Sequence, residues 1–205
     1  MLGEKLRKKL KKPLDKTFLL IAKIGINPNI FSSFALLWAI IAAYFIANKN
    51  MTIGLIFVIL ASIWDALDGS LARAEGKVSK FGNYLDAVID RYVEIIMYLG
   101  FALSGFFIEA FLVVTGSLLV SYTKARTAIV TQIDNRDWPS IGERFDRLFL
   151  LIIAIIISIF LPEISTSGYN ISSISFFLCL IAIIVYVGSI QRIFYARKII
   201  KKGKI

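Results

Sequence analysis

The sequence predicts an all-α integral membrane protein of six transmembrane helices behind an N-terminal amphipathic interfacial helix. Three observations carry that reading. Hydrophobic residues fill 58% of the 205 positions and the mean hydropathy is +0.75, far above soluble domains. They gather into six runs bounded by polar or turn residues, five of them near the roughly 20 residues that a bilayer crossing needs. Basic residues crowd into alternate connections, as orientation by positive charge requires.

Residues 1–24 set Leu2, Leu6, Leu10, Leu14 and Phe18 at near-helical spacing among Lys5, Arg7, Lys8, Lys9, Lys11, Lys12 and Lys16. That pattern fits a helix lying on an anionic leaflet, interrupted near Pro13. It does not read as a cleavable signal, because the first apolar run starts only at Phe31 with no small-residue cleavage site after it. Asn27 and Pro28 suit the cap and first turn of the first span, leaving a helix N-terminus of the kind that attracts anions. The spans are expected at 31–47, 52–72, 81–104, 106–130, 148–161 and 171–194, the fifth being short. Together, residues 31–196 make one six-helix bundle, and 1–205 one domain.

Lys and Arg occur in the first 23 residues, at 73–80, at 124–147 and in the C-terminal tail, whereas the connections at 48–51, 105 and 162–170 carry only Lys49. With six spans, the basic segments share one side. Both termini are therefore expected on the cytoplasmic side of the cell membrane. The net charge of +10 flanks apolar spans without a nucleic-acid-binding motif, so anionic lipid and phosphorylated substrates are the expected partners and nucleic acid is not. The chain has no histidine, which removes every histidine-dependent triad and leaves carboxylates as the candidate bases. Lone Cys179 forms no intrachain disulfide and reads as a small apolar side chain.

Carboxylates inside such spans are costly and usually functional. Asp65 and Asp68 are three apart and Asp86 and Asp90 four apart, so each pair shares a helix face. The pairs are symmetric about residue 77; an antiparallel hairpin turning near Gly76 and Lys77 sets Asp68 opposite Asp86 and Asp65 opposite Asp90. Four carboxylates that close repel or take up protons unless cations neutralise them. An all-oxygen donor set suits magnesium, manganese or calcium.

The pattern Asp65-x2-Asp68-Gly69-x2-Ala72-Arg73-x8-Gly82-x3-Asp86-x3-Asp90 resembles, without a departure, the signature of the CDP-alcohol phosphotransferases. The resemblance implies a six-helix membrane enzyme, commonly a homodimer, that moves a phosphatidyl-type group from a CDP-lipid to an alcohol and releases CMP. It implies two Mg²⁺ ions, with Mn²⁺ as a substitute, Asp65, Asp68 and Asp86 around one and Asp65, Asp86 and Asp90 around the other. Asp90 is implied as the proton acceptor. CDP-lipid contacts fall on Asn29, Ser32, Gly69, Arg73 and Ser79. Alternatives accompany several of these: Asn29 and Ser32 also fit a plain capped helix start, Gly69 ordinary helix packing and Arg73 an interfacial anchor, while Gly82 suits a substrate contact or a close contact between the second and third spans equally.

Ser121-Tyr122-Thr123-Lys124-Ala125-Arg126, Gly142-Glu143-Arg144-Phe145-Asp146-Arg147 and Gln191-Arg192 are similar to elements of the subgroup that uses inositol 1-phosphate, the phosphatidylinositol phosphate and archaetidylinositol phosphate synthases. The likeness runs from about residue 20 to 195, departing at Phe145-Asp146 and at 132–140. It implies that Lys124, Arg144, Arg147 and Arg192 hold the acceptor's phosphate, with CDP-archaeol or CDP-diacylglycerol as donor and 1L-myo-inositol 1-phosphate as acceptor. The plain alternative is a positive-inside girdle, with Glu143 and Asp146 pairing to neighbouring arginines. Glycerol phosphate is the second acceptor. A transporter is the alternative of another class, although the chain lacks the two related halves that many transporters show.

Overall fold

The computed structural model describes residues 28–74, 79–131, 138, 141–166 and 169–202, the side chains of 28–33, 65–74, 166, 169 and 202 excepted. Six helices fall among them: α1 (Pro28–Ala47), α2 (Met51–Ala74), α3 (Lys80–Leu103), α4 (Phe107–Val130), α5 (Arg144–Phe160) and α6 (Ser173–Lys202). A two-stranded antiparallel ribbon, β1 (Glu163–Thr166) with β2 (Tyr169–Ser172), joins α5 to α6. The expected interfacial helix over 1–24, the cap residue Asn27 and the turn near Gly76 lie outside the described residues. Backbone contacts group the chain into two compact units, Met1–Ser104 and Gly105–Ile205.

In the first unit, α1 packs on both α2 and α3. Its alanine stripe, Ala35, Ala39, Ala42 and Ala43, is buried together with Ile46. Small side chains let the backbones meet: a Cβ on Gly100 would stand 2.7 Å from the Ala43 Cα and 2.8 Å from its carbonyl oxygen. Against α2 the fit is aromatic. Phe57 stacks between Trp38 and Phe45, with centroids at 5.8 and 5.9 Å, and Trp64 meets Phe34 and Trp38 at 6.0 and 5.9 Å. At the α1–α2 turn, Lys49 takes φ 60° while the Asn50 carboxamide accepts the Ile53 N–H at 3.2 Å and starts α2.

In the second unit, α6 packs along α4 and α5. Gly116 lets Val185 and Tyr186 approach the α4 backbone, and the Thr115 and Tyr186 hydroxyls bond at 2.9 Å. Leu151, Ala154, Ile155, Leu178, Ile181 and Val185 fill the core.

The structure departs from two sequence expectations. Residues 171–172 belong to β2, not to the last span, because Ile164 pairs with Ile171 and Glu163 with Ser172, an alternation that a helix-period search does not see. The fifth helix starts at Arg144, where the Arg147 N–H donates to the Glu143 carbonyl at 3.1 Å, so charged residues extend it beyond its apolar run. At 17 residues it is still only about 26 Å long. By length and composition, two helices suffice to cross a bilayer among the described residues, Phe107–Val130 and Ser173–Lys201, with shorter apolar stretches at Phe34–Ala47 and Met51–Trp64.

Candidate active site

The carboxylates belong to the first unit. Asp65 and Asp68 lie on the second half of α2, with Gly69 and Arg73 following on the same helix; their side chains are outside the described set, as are those of Asn29 and Ser32 on α1. Asp86 and Asp90 are half-buried on α3, one turn apart. Their row continues inward through Glu94, 5% exposed, to Met97 and Phe101 in the core. The two aspartates thus stand where the buried face of α3 turns polar. Arg91 Nη1 lies 3.2 Å from Asp90 Oδ2 and donates to the Ala87 carbonyl at 2.8 Å. Among the described residues no three carboxylate, thiol or imidazole groups come together. The donors Asp86 and Asp90 nonetheless have the hard-oxygen chemistry and one-face spacing that a divalent cation takes.

Ser79 is the N-cap of α3: its Oγ accepts the Gly82 N–H at 2.9 Å. A Cβ on Gly82 would come 3.1 Å from that oxygen, its one close neighbour among the described residues. Glu94 was missed by the sequence reading, though a carboxyl one turn beyond Asp90 within an apolar run was the available signal.

The basic residues belong to the second unit. On α4, the buried stripe Val113, Gly116, Ser117, Val120 and Thr127 passes through half-buried Lys124, while Arg126 is exposed. Arg144 opens α5 and is half-buried. Arg147 and Arg192 are each 3% exposed. Arg147 Nη1 donates to the Gly142 carbonyl, closing the turn before α5. Arg192 Nη1 donates to the Val120 carbonyl at 2.8 Å, and its Nη2 lies 3.7 Å from Glu143 Oε1. A guanidinium buried this deeply requires such partners. Glu143 thus pairs across 49 positions with Arg192, where the sequence suggested a neighbouring arginine. Nothing in local spacing announces that contact.

The family model for CDP-alcohol phosphatidyltransferase matches residues 25–196. The chain belongs to that family. It is 33% identical over 201 residues to the archaetidylinositol phosphate synthase of Pyrococcus horikoshii, covering 97% of this chain and 98% of that one. To the archaetidylinositol phosphate synthase of Aeropyrum pernix it is 26% identical, over 85% of each chain. The fold is similar to that of the Mycobacterium tuberculosis phosphatidylinositol phosphate synthase with CDP-DAG bound, with a TM-score of 0.71 at 20% identity over 89% of this chain and 92% of that one. The same mycobacterial protein in complex with manganese and citrate gives 0.71 at 22% identity, over 90% and 87%. As a CDP-alcohol phosphatidyltransferase the protein is a membrane transferase of phospholipid synthesis, and its aspartate pattern, Asp65 to Asp90, lies within the matched residues.

Proposed function

We propose that the protein transfers the phosphatidyl-type group of a CDP-lipid to 1L-myo-inositol 1-phosphate, forming an inositol-phosphate phospholipid and releasing CMP. The supporting observation is that the Pyrococcus horikoshii relative, aligned over nearly the whole of both chains, is an archaetidylinositol phosphate synthase. Half-buried or buried Lys124, Arg144, Arg147 and Arg192 supply the cationic side chains that a phosphorylated acceptor calls for. Glycerol phosphate, which also carries a phosphate, is the second reading of the acceptor.

In this proposal Asp65, Asp68, Asp86 and Asp90 hold two Mg²⁺ ions, for which Mn²⁺ substitutes. When bound, such ions would supply positive charge to the diphosphate, polarising the phosphorus under attack and stabilising the oxygen that leaves. Asn29, Ser32, Gly69, Arg73 and Ser79 receive the CDP-lipid, CDP-archaeol or CDP-diacylglycerol. Lys124, Arg144 and Arg192 orient the acceptor through its phosphate, while Arg147, bonded to Gly142, adds charge and fixes the turn that presents Arg144. Asp90 takes the proton of the acceptor hydroxyl as that oxygen bonds to the β-phosphorus, and the bond from β-phosphorus to the CMP oxygen breaks. The ion pair with Arg91 orients the Asp90 carboxylate for that role.

The residues 1–205 are read as one domain that crosses the cytoplasmic membrane six times, with both termini and the site on the cytoplasmic side and a homodimer as the assembly. The reaction is tested by extracting the lipid formed from CDP-lipid, inositol 1-phosphate and magnesium. A product with two phosphorus atoms and the mass of an inositol-phosphate phospholipid is expected. Absence of such a product with active enzyme contradicts the reading.

A further inference from the structure

Glu143 stands at the N-cap position of α5, with φ −66° and ψ 160°, yet its side chain makes no capping hydrogen bond. Its carboxylate is turned instead toward Arg192 on α6, at 3.7 Å. The approach is built into the backbone. Gly142 takes φ 71° and a Cβ there would stand 3.3 Å from the Ile184 carbonyl oxygen and 3.4 Å from the Val185 Cα; a Cβ on Gly188 would run into the Ile141 carbonyl. Residues 141–143 therefore lie directly on the α6 backbone, through two glycines, one turn before Arg192. Arg147 Nη1 on the Gly142 carbonyl closes this strap from the other side. Arg192 Nη1 reaches across to the Val120 carbonyl at 2.8 Å, the same carbonyl that takes the Lys124 amide in the helix pattern.

One link, Glu143 to Arg192 to Val120, thus ties together the helix turn before Lys124, the residue before Arg144, and α6. We propose that Glu143 is a positioning residue of the acceptor site: its carboxylate holds the Arg192 guanidinium in the plane that receives the acceptor's phosphate, and keeps Lys124 and Arg144 in register with it. This rests on the acceptor-site reading given above. The choice of glutamate fits. A shorter aspartate is the better cap for α5 but lacks the reach to Arg192.

Steady-state CMP release by the full-length enzyme, with KM measured for each substrate in turn, tests the idea with inositol 1-phosphate as the acceptor probe. Glu143→Asp is expected to raise the acceptor KM about tenfold while kcat and the CDP-lipid KM stay within about twofold, with no fall in thermal midpoint because the new residue caps the helix. Glu143→Gln, which keeps the length and loses the charge, is expected to raise the acceptor KM about threefold. Arg192→Lys raises it as well, and the Glu143→Asp/Arg192→Lys pair does no further harm. An unchanged acceptor KM in Glu143→Asp, beside a raised one in Arg192→Lys, overturns the role of Glu143 and leaves the acceptor site standing. An unchanged acceptor KM in Arg192→Lys overturns both. Equal damage to both KM values and a lowered midpoint in the two Glu143 variants marks a purely structural residue and also overturns the proposal.

Discussion

Asp86 and Asp90 sit on the face of α3 that passes into the core through Glu94, Met97 and Phe101. That placement gives the carboxylates a desolvated setting on one side, where a cation is held more strongly than in water. Asp86→Asn keeps the shape and removes the charge. It is expected to lower CMP release by about a thousandfold or more, with the protein still folded; substantial turnover with magnesium present would sink the metal assignment. Chelation of a fully active preparation is expected to abolish release and magnesium to restore it, whereas activity that survives chelation speaks against cation-held aspartates. The candidate aspartates stand out in the sequence because the spacing puts each carboxylate pair on one helix face and the pattern has fixed spacing. Arg147 and Arg192 were legible as basic residues only: their bonds to the Gly142 and Val120 carbonyls arise from tertiary contact, which no local pattern encodes.

Helices α1 and α3 meet backbone to backbone at Ala43 and Gly100, and such contacts replace the hydrophobic drive that lipid does not supply between helices. Gly100→Val forces those backbones apart. It is expected to cost about 1–3 kcal/mol, read as a lowered thermal midpoint in detergent, and an unchanged midpoint would show that the crossing tolerates a larger separation. Helix positions were readable from apolar run length, and the ends of α3 and α4 agree with the expected spans to about a residue. The β1–β2 ribbon was not, since its strands are four residues each and half polar. The early start of α5 at Arg144 was equally hidden, because its first turn is charged and the fixing contacts, Arg147 to Gly142 and Glu143 to Arg192, come from the turn itself and from α6.

For the whole chain, the distribution of lysine and arginine makes a directional statement that the two qualifying helices among the described residues, Phe107–Val130 and Ser173–Lys201, do not make alone. In a Cys179→Ala background, Lys49→Cys is expected to react with a membrane-impermeant maleimide added to intact cells and Lys204→Cys to stay protected until the membrane is opened. Reaction of both from outside contradicts six crossings with shared termini. The larger claim is that the chain carries out phosphatidyl transfer to a phosphorylated alcohol. It is tested most directly by CMP release from purified enzyme with magnesium and a CDP-lipid, offering inositol 1-phosphate, glycerol phosphate, inositol and serine in parallel. Release with inositol 1-phosphate alone is the expected result. Release with glycerol phosphate or an uncharged alcohol in its place, or with none of the four, contradicts the account.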